Sequence, residues 1–338
     1  MSRAQQLCLA AAATLVAAFA LPALANAFWL STAISAVIFV LPVAGCGLLY
    51  GRLGILALFQ IGVLGVGSWV ALRLSFATSL PFPFVVVGAG AAAAAVGVIV
   101  SLPALRLSKL HFALLTLMAA GAAEVFFTVK GFPNGGPGFF GLRSALVAPR
   151  QMPRPHIASS EAGYFRYALA AVFAMGLLLW AHVRGRPGRA WALIRQGTPC
   201  AQSVGVSVAR YTLWAVALSC FITGVGGALF VAQVGTTSAS SFAPADSVTV
   251  FAVALLGGAY SIPGFVIGGC AAQVIPALLA TWGINGNVAL VVFGLGLLAS
   301  LLTAPRGAAG GLHDLARLLR RLQTRVARPP EREPIADA

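Results

Sequence analysis

The chain has 338 residues, of which 59% are hydrophobic and only 9% are charged. A soluble protein of this length needs far more charged surface, so the composition excludes a soluble globular protein. The net charge of +15 would suit a nucleic-acid-binding protein, but the arginines lie between apolar runs and in the C-terminal tail. Membrane topology and anionic lipid head groups account for arginines in those places, so we expect no nucleic-acid partner.

Several apolar runs are about twenty residues long, which is enough to cross the ~30 Å hydrocarbon core of a bilayer as a helix. The runs are continuous and lack the polar/apolar alternation of barrel strands. We therefore predict an all-α polytopic membrane protein with about ten transmembrane helices and both ends inside. The runs lie at 4–24, 28–50, 53–73, 84–102, 110–129, 164–183, 211–234, 245–258, 262–281 and 286–303.

The first run allows two interpretations. Residues 1–25 form either a retained first transmembrane helix or a removed signal peptide, because Ala23-Leu24-Ala25 has the small-x-small pattern of a cleavage site. Residues 26–304 follow as the transmembrane domain. In residues 305–338, leucines recur at helical spacing between arginines, which predicts a basic amphipathic helix on the inner leaflet.

Two polar side chains inside apolar runs are candidates for a role in packing or transport. Gln60 lies within the third run and is followed by a glycine-rich stretch, so we expect it to hydrogen-bond across a helix interface or to line a pathway. Glu124 lies inside the fifth run. It either faces the bundle interior or snorkels to the outer surface and pairs with Lys130.

Two segments depart from a simple span. Residues 130–163 are hydrophilic and rich in proline, which predicts an external loop without regular structure, although the basic residues there oppose the positive-inside rule. The run 245–258 is short, and the Gly/Pro-rich turn at 257–264 follows it. This pattern predicts a broken or partly re-entrant helix.

A polar interruption at 184–210 contains five arginines and no acid, which places it on the cytoplasmic side. Inside it we predict a short helix from Arg189 to Arg195, ended by Gly197 and Pro199. Such an element is either a docking site for a soluble partner or a basic loop that only fixes topology.

Several kinds of chemistry are absent from the sequence. No GxxxxGK[ST] phosphate loop occurs, so any ATP that drives this protein must bind to another chain. The five cysteines lack metal-binding spacing, and the chain has no pair of membrane aspartates for intramembrane proteolysis. We therefore expect neither an enzyme nor a cofactor or metal in this chain.

Four stretches carry a recognisable pattern. They are GRLGILALFQIGVLGVGSWVAL (51–72), PALRLSKLHFALLTLMAAGAAEVFF (103–127) with NGGPGFFGL (134–142), GRAWALIRQGTPCAQSVGVSVARYTLWAVALSCFITGVGGALF (188–230), and SVTVFAVALLGGAYSIPGFVIGGCAAQVIPALL (247–279). Together they resemble the permease subunits of branched-chain amino acid ABC importers, in particular the LivM-like half of the heterodimer. The likeness covers about 50–303 and is most specific in the third stretch.

The resemblance implies a type II-like ABC importer permease bundle in the bacterial inner membrane. The implied partners are ABC ATP-binding subunits that carry the ATP, a second, LivH-like permease subunit and a periplasmic substrate-binding protein, besides membrane lipid. It also favours a docking role for the loop, as the coupling helix. The residues that match the family run there are Arg189, Ala190, Ile194, Arg195, Ala201 and Gly205.

For the translocation pathway or the helix packing beside it, the resemblance implies a second group of residues. These are Phe59, Gln60, Glu124, Asn134, Gly257 and Gly258. Phe59 stands where the family usually has a small glycine, so the width of the pathway is expected to differ. Residues 197–200 replace an acidic, helix-forming run of the family, so either a different surface on the ATP-binding subunit or a shorter coupling helix is expected. The substrate is expected to be a branched-chain or related amino acid, or a small amide such as urea. The rival interpretations are an ion-driven secondary transporter of a small polar solute and a scaffold without transport activity.

Overall fold

The computed structural model describes residues 3–105, 109–130, 152–155, 158–284 and 288–303. Within these ranges the chain forms α-helices and their connections, with no strand. The helices are α1 (Arg3–Leu24), α2 (Ala27–Leu48), α3 (Gln60–Ala77), α4 (Phe82–Ala104), α5 (Lys109–Lys130), α6 (Glu161–Arg184), α7 (Arg186–Gln196), α8 (Thr198–Ser203), α9 (Val208–Val234), α10 (Pro244–Gly257), α11 (Ile262–Thr281) and α12 (Val288–Thr303). A π-helical turn, Leu49–Leu53, extends α2, and a 3-10 turn, Ala239–Phe242, precedes α10.

Seven of the described helices are long and apolar enough to cross a membrane: α2 with its π-helical turn, α3, α4, α5, α6, α9 and α11. Three shorter apolar helices lie at Ala10–Leu24, Pro244–Gly257 and Val288–Leu298. The predicted all-α polytopic class is therefore confirmed. The number of about ten crossings stays a prediction.

Helix α9 forms the centre of the bundle and packs against α2, α3 and α4. Its glycines let the backbones of neighbouring helices approach closely, as is typical of membrane helix interfaces. A Cβ atom added to Gly227 would overlap the carbonyl oxygen of Leu64 on α3. A Cβ on Gly67 would likewise overlap the backbone of Gly224. The small residues of α9 thus set the spacing of the core.

A Gly227→Ala variant should be destabilised by about 1–3 kcal/mol, because the added methyl group forces the α3 and α9 backbones apart. The matched control is Gly176→Ala on α6, where an added Cβ has no heavy atom within 4 Å. Helix propensity predicts a gain of up to about 1 kcal/mol for that control. Thermal denaturation of the detergent-purified variants measures both changes. Equal melting temperatures for the two variants would contradict this packing.

The prediction of a continuous span at 53–73 is wrong. The π-helical turn ends at Gly54, whose φ is +69°, and the chain is not helical again until Gln60. An unwound backbone inside a membrane bundle needs hydrogen-bond partners for its amide groups. The Leu58 amide donates to the Thr116 hydroxyl at 3.0 Å, and the Ile61 amide donates to the Ser247 hydroxyl at 3.2 Å. These hydroxyls on α5 and α10 stabilise the break.

Helix α10 is a partial crossing that begins inside the bundle. Its 14 residues give a length of about 21 Å, less than the ~30 Å hydrocarbon core. Its first turn contacts the start of α3 through Ser247. Just before it, the buried Phe242 packs against Phe127 and Phe230, with ring centroids 5.9 and 6.2 Å apart. The chain therefore dips back into the bundle between the end of α9 and the start of α10.

The end of the bundle that carries the π-helical turn, α7, α8 and the α10–α11 connection is here called the inner end. Basic residues concentrate there, which places this end on the cytoplasmic side by the positive-inside rule. They are Arg52, Lys109, Arg184, Arg186, Arg189, Arg195 and Arg210.

At the opposite end, Arg154 is one of the basic residues that opposed the predicted topology. Its guanidinium forms an ion pair with Glu161 at 3.0 Å and donates to the Gln233 carbonyl at 3.3 Å. It also lies 5.3 Å from the centre of the Tyr164 ring. Arg154 thus anchors the outer segment to α6 and α9, and its charge is compensated locally.

Most of the predicted external loop and the whole tail, 305–338, lie outside the described residues.

Candidate functional site

The basic loop forms two short helices rather than one. Helix α7 begins one turn earlier than predicted, because Pro187 in its first turn needs no amide partner there. Gly197 separates α7 from α8, and Pro199 lies in the first turn of α8 instead of ending the helical segment. At the end of α8, the Gly205 amide donates to the Gln202 carbonyl and the Val206 amide donates to the Ala201 carbonyl. Gly205 has a φ of +80°, which suits a glycine at a helix C-terminus.

One side of α7 is buried against the bundle. Trp191 is fully buried, and its indole Nε1 donates to the Tyr211 carbonyl on α9 at 2.9 Å. Ala190 and Ile194 are buried beside it. The opposite side of α7, which includes Arg189, is exposed. Helix α7 therefore combines a fixed inner side with a free outer side.

Arg195 connects α7 to two other parts of the inner end. Its Nη1 donates to the carbonyl of Gly51 in the π-helical turn. The same guanidinium lies 4.6 Å from the centre of the Tyr260 ring, in the α10–α11 connection. A Cβ on Gly51 would overlap the Ala259 carbonyl, so these two segments also touch each other. A displacement of α7 therefore reaches both α2 and α10 directly.

A cavity of about 420 Å³ opens at this junction and is lined by Gly51, Arg52, Ala192, Arg195, Gln196 and Tyr260. Two guanidinium groups line it, and their positive charges are close enough to repel each other. Among the described residues, the carboxylates of Glu124, Glu161 and Asp246 all lie away from the inner end. The cavity therefore suits an acidic group that does not come from the described residues.

The structure places the six predicted coupling residues in three environments. Ala190, Ile194 and Ala201 are buried and anchor the helices, whereas Arg189 and Gly205 are exposed. Arg195 is half-buried and makes the two contacts described above.

Three residues of this site were missed by the sequence reasoning: Trp191, Gly51 and Tyr260. The burial of Trp191 could have been predicted, because it is the only aromatic residue in the loop 184–210 and lies three residues before Ile194, on the same side of a helix. The roles of Gly51 and Tyr260 depend on contacts between distant segments.

Gln60 lies at the first position of α3, not in the middle of a span as predicted. It is almost completely buried and belongs to a network of neutral groups. Its Nε2 donates to the Ser219 hydroxyl at 2.9 Å, and the Thr223 hydroxyl donates to its Oε1 at 2.7 Å. The Ser219 hydroxyl in turn donates to the Gly45 carbonyl at 2.8 Å. The network joins α2, α3 and α9, as expected for an interhelical hydrogen bond.

The remaining predicted pathway residues do not share one location. Phe59 is buried directly before Gln60. Gly257 and Gly258 form a tight hairpin at the inner end, where a Cβ on Gly257 would overlap the Gly264 carbonyl. Glu124 is half-buried on α5, near enough to Asp246 on α10 for their charges to interact. Asn134 and the side chain of Lys130 lie outside the described residues.

Arg73 is a further residue that the sequence reasoning did not select. It was predicted to end the third span, but α3 continues to Ala77 and carries Arg73 inside the bundle. The side chain is fully buried, and its three guanidinium nitrogens have no hydrogen-bond partner within the part of the chain that the structure describes. An arginine in such a place is costly and is unusual outside functional regions of membrane proteins.

Comparison with known proteins identifies relatives of the chain. A family model described as "Branched-chain amino acid transport system / permease component" matches residues 6–301. The high-affinity branched-chain amino acid transport system permease protein LivM of Escherichia coli (strain K12) is 28% identical over 265 residues, which are 73% of this chain and 62% of the relative. The LivM protein of Salmonella typhimurium (strain LT2) is 27% identical over 268 residues, with the same coverage. No solved structure matches.

Proposed function

The chain belongs to the branched-chain amino acid transport permease family, and from that premise we propose that it is the transmembrane subunit of an ATP-driven importer. Its substrate is a branched-chain or related amino acid, or a small amide. Its partners are separate ATP-binding subunits, a second permease subunit and a periplasmic binding protein, in the inner membrane of a bacterium. The match spans 62% of the length of each LivM relative, so substrate and partners are proposed and not inherited from them.

The observation that carries this proposal is the anchoring of α7. Trp191 and Arg195 attach this short helix to α9, to the π-helical turn and to the α10–α11 connection. The π-helical turn continues into the unwound segment before α3, and the α10–α11 connection adjoins the partial helix α10. A rigid-body movement of an ATP-binding subunit that grips α7 would therefore be transmitted to the centre of the bundle. ATP binding then shifts the population between outward-facing and inward-facing states.

The basic cavity at the inner end supports a particular mode of contact with the ATP-binding subunit. An acidic side chain of that subunit would insert between Arg52 and Arg195 beside the exposed face of α7. This contact would favour the correct orientation of the partner as well as its attachment, because charged groups across an interface fix the register.

Purification in mild detergent followed by reconstitution tests the proposal. We expect ATP-binding subunits and a second permease to co-purify with the chain. In proteoliposomes, uptake of radiolabelled leucine should require hydrolysable ATP and the binding protein, and should persist when a protonophore is added. Uptake that needs no ATP and stops with the protonophore would instead establish an ion-driven transporter. Recovery of the chain without any ATPase or transport activity would favour a scaffold.

A further inference from the structure

A second cavity lies beside the start of α10, between it and α11 and α12, away from the inner end. Its volume is about 320 Å³, within the range of small-ligand sites. The elements around it are α2, α3, α9, α10, α11 and α12, together with the 3-10 turn. It thus lies where two helices begin inside the bundle, since the Ile61 amide of α3 is bonded to Ser247 of α10. An unwound or interrupted helix at membrane depth is tolerated where it lines such a cavity.

The lining of this cavity has a polar part and an apolar part. Its polar side chains are those of Ser241, Asp246, Thr249 and Gln273. Much of the remaining surface is aliphatic or aromatic and includes Ile61, Leu64 and Phe293. A ligand that fits must therefore have a compact polar part and an apolar part of a few carbon atoms.

Asp246 gives the polar side of the cavity a negative charge. Its side chain is exposed towards the cavity, and Glu124 is the one charged group that acts on it among the described residues. Glu124 is also an acid, so it cannot compensate the Asp246 carboxylate. A carboxylate at membrane depth is costly unless a cation or water neutralises it. The primary ammonium group of an amino acid would supply that cation.

We propose that this cavity is a substrate subsite in which the Asp246 carboxylate holds the α-ammonium group of a zwitterionic amino acid. The Thr249 hydroxyl and the Gln273 amide are donors for the substrate carboxylate. Ile61, Leu64 and Phe293 contact the aliphatic side chain. The inference rests on the proposed function and narrows it, because a neutral amide such as urea would gain nothing from the Asp246 charge. It selects an amino acid over an amide as the cargo.

The test uses the reconstituted complex with its partners and measures ATP-driven uptake. Asp246→Asn keeps the shape of the side chain and removes its charge, so kcat/KM for leucine should fall by at least about tenfold, mainly through KM. Asp246→Glu keeps the charge and should recover part of this loss. The matched control is Glu161→Gln, which removes an acid at the outer end of α6 and should leave uptake within about twofold. Leucine uptake by Asp246→Asn equal to that of the wild type would overturn the subsite.

A second measurement with the wild-type complex does not depend on the folding of any variant. Leucine, its analogue without the amino group (4-methylpentanoate) and urea compete for binding of radiolabelled leucine to the detergent-purified complex without the binding protein, which would otherwise select the solute first. Leucine should compete at least about tenfold better than 4-methylpentanoate, and urea should not compete. Equal competition by the two acids would show that no ammonium site exists, while the ATP-driven import itself remained established. Failure of the wild-type complex to transport any solute would instead contradict the proposed function.

Discussion

A Trp191→Ala variant should still insert into the membrane but lose most of its ability to hold the ATP-binding subunit. The indole of Trp191 is fully buried, and its Nε1 donates to the Tyr211 carbonyl at 2.9 Å. Truncation of a buried tryptophan costs about 3–5 kcal/mol. Helix α7 has only 11 residues, too few for a helix to be stable without packing. We therefore expect α7 to detach from the bundle and the docking surface to lose its shape.

Co-purification in mild detergent measures this effect. The amount of ATP-binding subunit recovered per permease should fall at least about tenfold for Trp191→Ala. The conservative variant Trp191→Phe keeps most of the packing and loses one hydrogen bond, worth about 1 kcal/mol. It should retain binding within about threefold of the wild type. The coupling role of α7 is refuted if Trp191→Ala recovers as much partner as the wild type.

An Arg195→Gln variant should keep part of its binding of the ATP-binding subunit, because Arg52 and the exposed face of α7 remain, but should transport at least about tenfold less substrate per ATP hydrolysed. The substitution removes the hydrogen bond to the Gly51 carbonyl and the cation–π contact with Tyr260. These contacts are worth roughly 1.5–3 and 0.5–2 kcal/mol. They join α7 to the two segments that lead into the centre of the bundle. Without them, movement of α7 is no longer transmitted.

Simultaneous measurement of ATP hydrolysis and uptake in proteoliposomes gives the coupling ratio. The matched control is Arg210→Gln, which removes the same charge from the same loop. Among the described residues, the Arg210 guanidinium donates to the Ser207 hydroxyl within its own turn. The coupling ratio of this control should stay near that of the wild type. Arg195→Lys keeps the charge but lacks the planar guanidinium, so it should restore only part of the coupling. An unchanged ratio in Arg195→Gln would mean that Arg195 has no part in transmission.

The class of the protein and the position of its basic loop could be predicted from the sequence, because both depend on local composition. Long apolar runs determine the membrane helices, and breakers such as Gly197 bound α7. The short run before Gly257 likewise indicated that α10 does not cross the membrane completely. These features are contained within about twenty residues of the chain.

The break before Gln60 could not be predicted, because residues 54–59 are as apolar as a helix. It exists because Thr116 and Ser247, far away in the sequence, satisfy the amides of Leu58 and Ile61. For the same reason, the contacts of Arg195 with Gly51 and Tyr260 could not be predicted, and its role in coupling stays a prediction.

The spacing of apolar residues in the sequence also did not show which side chains line the translocation pathway. Gly257 and Gly258 were assigned to it or to helix packing, and their close approach to Gly264 fits packing. Asp246, at the edge of its run, received no role from the sequence. Phe242 packs on Phe127 and Phe230 and so fixes the 3-10 turn at Ala239–Phe242. This turn brings Asp246 to the cavity beside α10.

The central claim is that α7 and α8 face the cytoplasm and are covered there by an ATP-binding subunit. Cys200 on α8 is exposed, whereas Cys46 and Cys220 are buried. A membrane-impermeant maleimide should modify Cys200 in inside-out vesicles and not in right-side-out vesicles, and the bound ATP-binding subunit should block the reaction. Cys200→Ser identifies the labelled site, and Ser159→Cys in that background provides an exposed residue at the outer end as the opposite control. Labelling of Cys200 from the outside, or equal labelling with and without the ATP-binding subunit, would contradict the account.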